Sequence, residues 1–163
     1  MINKQNFNLI DNIFLFIASG FFSGFVPKSP GTAGSLACVV IWFILNSYFD
    51  ISTLSFLITT LIIGSIATSF TLKKIRENDS NVKDPQFIVI DEWAGMLIAL
   101  LPIHPSSLYG ILIAFILFRF FDITKLGPIG ASEKLPNAIG IMADDILAGI
   151  ASYILILAFN YMI

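Results

Sequence analysis

The chain has 163 residues, 56% of them hydrophobic and 12% charged, with a mean hydropathy of +0.87. Soluble domains carry about 25% charged residues, so the composition excludes an ordinary water-soluble domain and predicts a membrane protein folded as one domain. A net charge of −2 and the lack of basic, aromatic-interleaved patches exclude a nucleic-acid partner.

The first apolar stretch covers residues 13–26 and contains Gly20, Ser23 and Gly24. A membrane span needs about 20 residues, so a short re-entrant or interfacial helix is expected here. Lys4 ahead of this stretch suggests a signal peptide, but Asp11 and Asn12 interrupt the pattern and no small-residue cleavage site follows. The segment is therefore expected to remain in the mature protein. Pro27 to Ser35 (PKSPGTAGS) reads as a loop dense in turn formers and hydroxyls.

Apolar runs follow at Leu36 to Phe49 and Leu54 to Leu72, then a polar stretch from Lys73 to Asp84. From Pro85 to Leu101 the chain is apolar again except for Gln86, Asp91 and Glu92. Pro102 to Ser107 is a tight turn, Leu108 to Phe121 is apolar up to Arg119, and 122–143 is a second polar connection with Pro128, Pro136, Gly127, Gly130 and Gly140. The last apolar run is Ile146 to Ile163. This pattern predicts an all-α, polytopic membrane helical bundle with spans at about 36–50, 54–72, 86–102, 107–121 and 145–163.

Lys73, Lys74, Arg76 and Lys83 cluster in one connection and Arg119, Lys125 and Lys134 in another, whereas 50–53 and 102–107 have no Lys or Arg. The positive-inside rule puts both basic connections, and by counting back the loop at 27–35, in the cytoplasm. Every chemically loaded stretch then falls on one membrane face. Cys38 sits in an apolar run and reads as a small core or lipid-facing residue. His104 is expected on the opposite face, too far away to act as base or ligand.

Five acids abut apolar runs: Asp91, Glu92, Asp122, Asp144 and Asp145. A charge at the centre of a membrane helix costs about 2.5–3.5 kcal/mol, so paired acids there call for a cation. On a helix running from Pro85, Asp91 and Glu92 lie about 9 Å in, and Gly95 leaves room for another backbone beside them. Arg119 and Asp122, three residues apart, share a helix face. Asp144 and Asp145 point about 100° apart and are expected at a helix start, where the dipole favours acids but does not explain two in a row. Gly31, Thr32, Gly34, Ser35 and Lys28 precede a helix, where backbone N–H groups bind anions. A P-loop pattern is absent. Five carboxylates against Lys28, Arg119 and Lys125 leave two negative charges, the complement of one divalent ion. Oxygen ligands without His or Cys favour Mg²⁺, Mn²⁺ or Ca²⁺ over zinc.

Pro30-Gly31-Thr32-Ala33-Gly34-Ser35-Leu36, Asp91-Glu92-x-x-Gly95, Arg119-x-x-Asp122-x-x-Lys125 and Gly140-Ile141-Met142-x-Asp144-Asp145-x-x-Ala148-Gly149 together resemble the phosphatidylglycerophosphatase A family. The resemblance runs from about residue 18 to the end. It departs at Leu126, where the family carries Pro, and at Asn137-Ala138, where it carries two glycines; both positions are expected in the connecting loop. The family implies a Mg²⁺-dependent phosphatase of the bacterial inner membrane that converts phosphatidylglycerophosphate to phosphatidylglycerol. The expected catalytic residues are then Asp91, Glu92, Asp122, Asp144 and Asp145, with Asp91, Glu92, Asp144 and Asp145 holding the metal. Lys28, Thr32, Ser35, Arg119 and Lys125 are expected to bind the phosphate, either for attack by water or for attack by an acid such as Asp122.

Other lipid-phosphate chemistries lack their residues here, having neither paired catalytic histidines nor a D-x-D or D-x-x-D-G-x-x-A-R run. The alternative from another class is a divalent-cation carrier or channel, because intramembrane acids also mark ion paths. Against it, no acid continues toward Pro102–Ser107. The sequence carries no signal for the oligomeric state.

Overall fold

The computed structural model describes residues 7–78, 82, 85–132, 135 and 137–162. Lys4, Lys83 and Lys134, part of the charge pattern above, lie outside the described residues. All regular structure within them is helical. The helices are α1 (Leu9–Ala18), α2 (Pro30–Phe49), α3 (Thr53–Asn78), α4 (Ile90–Leu100), α5 (Leu108–Thr124), α6 (Pro128–Ser132) and α7 (Asn137–Met162), with a 3₁₀ turn at Ser23–Phe25.

Among the described residues, three stretches are long and apolar enough to cross a membrane: Pro30–Phe49, Thr53–Glu77 and Ile139–Phe159. The 20 residues of α2 make a rod of about 30 Å, the thickness of the hydrocarbon core. The polytopic helical bundle expected from composition is the fold observed.

α1 is the short N-terminal helix. Asp11, which looked like an interruption, closes a capping box with Asn8, and each side chain satisfies the other's backbone N–H. One side of α1 packs on α3 while Leu9, Ile10, Ile13 and Phe16 stay exposed.

The expected span at 86–102 is not a continuous helix. α4 has 11 residues, about 17 Å, too short to cross the bilayer. Its residues Ile90, Asp91 and Trp93–Leu100 are all buried, enclosed by α2, α3, α5 and α7. A helix apolar on every face belongs inside protein, and in the non-helical approach at 85–89 protein buries Pro85, Ile88 and Val89, the setting in which irregular backbone is tolerated at membrane depth.

Two further boundaries differ from expectation. α2 starts at Pro30, so Gly31–Ser35 form its opening turns rather than a loop; Pro is suited to the first helical position. α7 starts at Asn137, so Asn137-Ala138 are helical rather than part of the connecting loop. Asp144 and Asp145 therefore lie two turns into a helix, whereas Asp91 and Glu92 occupy the first turn of theirs. The helix-dipole account fits the second pair and not the first.

The α4–α7 crossing organises the core. Gly95 lies against the backbone carbonyl of Asp145, and Gly149, one turn on, lies against the carbonyl of Gly95. Glycine at both positions lets the two backbones touch, as the sequence suggested for Gly95. Trp93, Met96, Leu97, Leu100 and Phe118 fill the interior around the crossing.

Candidate active site

Four helix segments converge at one end of the bundle: the starts of α2 and α4, the end of α5 and the second turn of α7. They enclose a cleft of about 420 Å³ lined by Lys28, Thr32, Asp91, Glu92, Arg119, Asp122, Lys125, Asp144 and Asp145, with Gly31 and Gln86. Nine of the ten residues singled out in the sequence thus share one wall system. The tenth, Ser35, is fully buried behind it.

The acids divide into two sets. Carboxylate oxygens of Asp91, Glu92 and Asp145 all lie within 4.8 Å of one another. Asp91 Oδ1 accepts from the backbone N–H of Glu92 at 3.0 Å, while Glu92 Oε2 and Asp145 Oδ1 are buried with no hydrogen-bond partner among the described residues. Buried carboxylates this close repel unless a cation joins them, and unsatisfied oxygens in an all-oxygen donor set are what a hard divalent ion takes up. These three residues fit such an ion. Asp144 stands apart from them: its Oδ2 accepts from Lys125 Nζ at 2.9 Å. The roughly 100° between adjacent helical side chains sends Asp145 to the trio and Asp144 to the lysine.

The bases are held from behind. Arg119 Nη1 pairs with Asp122 Oδ2 at 2.5 Å, one turn along α5, and donates to Ser35 Oγ at 3.3 Å. Ser35 Oγ in turn donates to the Gly31 carbonyl at 2.8 Å. A side chain at Gly31 would meet the Glu92 carboxylate and the Arg119 guanidinium, so glycine there lets α2 close over both. The first intrahelical bond of α2 runs from the Ala33 N–H to the Ser29 carbonyl. The Gly31 and Thr32 N–H groups precede it and face the anion-favouring end of the helix.

Lys28 and Lys125, both in the cleft wall, have positive φ of 73° and 46°, uncommon for residues with a side chain. At Lys125 this left-handed turn ends α5, with its N–H bonded to the Phe121 carbonyl at 2.8 Å, and swings the lysine toward α7. Backbone strain of this kind gathers at functional sites.

His104 lies in the turn between α4 and α5, bonded to Ser106 at 2.8 Å, at the end away from the cleft. Cys38 is fully buried and donates weakly to the Trp93 carbonyl. The sequence does not single out Gln86 as a wall residue, whereas it marks Gly31 as part of the anion-binding helix start. Gln86 had one signal, a lone polar residue ahead of α4; what the sequence did not show for Gly31 was its close approach to Glu92 and Arg119.

An anion cradle beside an acidic, cation-hungry trio, set at the end of membrane-length helices, is the make-up of an integral membrane phosphatase. The chain belongs to the phosphatidylglycerophosphatase A family, whose model matches residues 16–160. It is 40% identical to the phosphatidylglycerophosphatase A of Haemophilus influenzae over 96% of this chain and 94% of that protein. It is 33% identical to the Escherichia coli protein of the same name over 83% of this chain and 77% of that one. A Bacteroides thetaiotaomicron protein provisionally named a phosphatidylinositol-3-phosphatase is 36% identical over 90% of this chain and 93% of its own length. No solved structure matches the chain significantly. Its apolar helices and bacterial relatives make it a bacterial membrane protein.

Proposed function

We propose that the protein hydrolyses phosphatidylglycerophosphate to phosphatidylglycerol and phosphate with Mg²⁺, at the cytoplasmic face of the inner membrane. The observation that carries this is the Asp91–Glu92–Asp145 trio, in which Glu92 Oε2 and Asp145 Oδ1 are buried with no hydrogen-bond partner among the described residues, facing Arg119 and Lys125 across one cleft. Mg²⁺ held by the trio would offset charge on the phosphate oxygens and orient the attacking group. Arg119, fixed by Asp122 and Ser35, presents a planar donor pair to the phosphate. Lys125, held by Asp144, neutralises it from the other side, and the open N–H groups at the start of α2 complete the cradle. The nucleophile is a water placed by Asp144 or the Asp122 carboxylate itself; an acyl-phosphate trapped on Asp122 would distinguish them. The two relatives named phosphatidylglycerophosphatase A favour the glycerophosphate headgroup, and the Bacteroides relative makes phosphatidylinositol 3-phosphate the substrate to compare it with.

The test is phosphate release from both lipids in detergent micelles, with Mg²⁺ and with chelator, for the wild type and Asp145→Asn. Release should need Mg²⁺, favour phosphatidylglycerophosphate and drop by at least about 100-fold in the variant, the scale on which a lost charge-stabilising group acts. Saturating Mg²⁺ should also raise the thermal midpoint of the wild type but not of Asp145→Asn, by linkage worth about 2.7 kcal/mol at 100 times Kd. A folded wild type that releases nothing sinks the proposal, and cation flux in proteoliposomes then becomes the question.

A further inference from the structure

Lys28 is the base in the cleft wall that the chemistry above leaves unused. Arg119 and Lys125 line the same cleft, but each is joined to an acid, Asp122 and Asp144. Among the described residues the Lys28 ammonium forms no ion pair and no hydrogen bond. Its backbone is held left-handed, at φ 73°, between Pro27 and Pro30. Glycine takes that conformation freely and lysine does not, so a side chain is kept there at a cost in backbone energy. The segment leading to Lys28 is also fixed in place. Gly24 lies against the Phe87 carbonyl, and the Phe25 and Phe87 rings stack with centroids 5.2 Å apart. These contacts tie it to the segment carrying Gln86, which lines the cleft as Lys28 does.

The cleft is layered. Asp91 and Asp145 are buried at its floor, Arg119 and Lys125 are half-buried, and Lys28 and Gln86 are exposed at its mouth. Gly31, which closes over Glu92 and Arg119, follows Lys28 by three residues, so the two backbones are at most about 11 Å apart. A volume of about 420 Å³ lies in the range of small-molecule pockets, about 300–1,000 Å³, and has room for more than one phosphate group. A phosphomonoester held at the floor therefore leaves Lys28 facing whatever is bonded to it on the outward side. In phosphatidylglycerophosphate that is a three-carbon glycerol and then a phosphodiester, a second anion. We propose that Lys28 binds this diester, and that the cleft thereby selects phosphomonoesters carried on a phosphodiester headgroup over those bonded directly to diacylglycerol. This rests on the lipid-phosphatase function above, and it moves Lys28 from the scissile phosphate, where the sequence put it, to the neighbouring one. A lysine suits the role, because its ammonium is a mobile point charge that needs no bidentate partner.

The two reaction products separate the two phosphates. Dihexanoyl phosphatidylglycerol keeps the diester and lacks the monoester, and inorganic phosphate mimics the monoester alone. Release of labelled phosphate from phosphatidylglycerophosphate in detergent micelles is measured with each as a competing inhibitor. Both should compete in the wild type. Lys28→Gln should weaken inhibition by dihexanoyl phosphatidylglycerol about tenfold, as expected for one lost charge-assisted contact, and leave inhibition by phosphate unchanged. Lys28→Arg, which keeps the charge, should leave both unchanged. A loss shared equally with phosphate, or confined to it, puts Lys28 on the scissile group and overturns the proposal, as does unchanged inhibition by both. Should Lys28→Gln not fold, the wild type decides: dihexanoyl phosphatidylglycerol should compete far more tightly than dihexanoylglycerol, which lacks the phosphate, and equal inhibition overturns the diester site. A wild type that releases no label would instead overturn the phosphatase function, and the diester site with it.

Discussion

Arg119 shows how much of a site depends on what stands behind the reacting groups. Its spacing to Asp122 is legible in sequence, because residues three apart on a helix are neighbours, and the ion pair is there. Ser35 is different. In sequence it is one more hydroxyl after Thr32, yet the fold buries it fully and commits its oxygen to Gly31 and Arg119. It acts as a positioning residue for the guanidinium. Ser35→Ala should raise KM about fivefold with kcat nearly unchanged, equivalent to about 1 kcal/mol, the net value of roughly one hydrogen bond. Steady-state kinetics on phosphatidylglycerophosphate decide it, and an unchanged KM would mean that Asp122 alone orients Arg119.

At the scale of elements, the short helix α4 holds the site together through its crossing with α7. Its all-apolar composition was visible, but its length was not, since hydropathy does not distinguish a helix buried in protein from one facing lipid. The pairing of Gly95 with Gly149 could not be foreseen in full, because which glycine meets which depends on how two distant helices cross. Gly149→Leu would drive a side chain into the Gly95 carbonyl and should lower stability by about 1–3 kcal/mol or more. Thermal unfolding in detergent tests this against the control Ile150→Leu at an exposed position. Equal midpoints would show that α4 and α7 separate without cost.

For the whole molecule, the decisive property is sidedness. The cleft collects the starts of α2 and α4 and the end of α5, and the turn at 102–107 lies at the other end, as the distribution of Lys and Arg led one to expect. The positive-inside rule leads to the expectation that the cleft end faces the cytoplasm, and the orientation can be read directly. In a Cys38→Ala background, Ser106→Cys should react with an impermeant maleimide added outside intact cells with permeable outer membranes. Leu126→Cys, exposed beside the cleft, should react only in inverted vesicles. The reverse pattern would place the cleft outside and exclude a cytoplasmic substrate pool.

Composition and hydropathy alone determined that the chain is a helical membrane bundle, because low charge and long apolar runs leave few other ways to satisfy a backbone in lipid. The residue types alone marked the five acids and the three bases, since charge near apolar runs is too costly to be idle. Only the tertiary structure decided their division of labour. Asp145 joins Asp91 and Glu92 while Asp144 goes to Lys125, and Ser35 stands behind Arg119 rather than in the cleft. Those assignments depend on where α2 and α7 begin and how α4 crosses α7. Helix starts and crossings are set by backbone contacts between segments far apart in sequence, and no local pattern of residues encodes them.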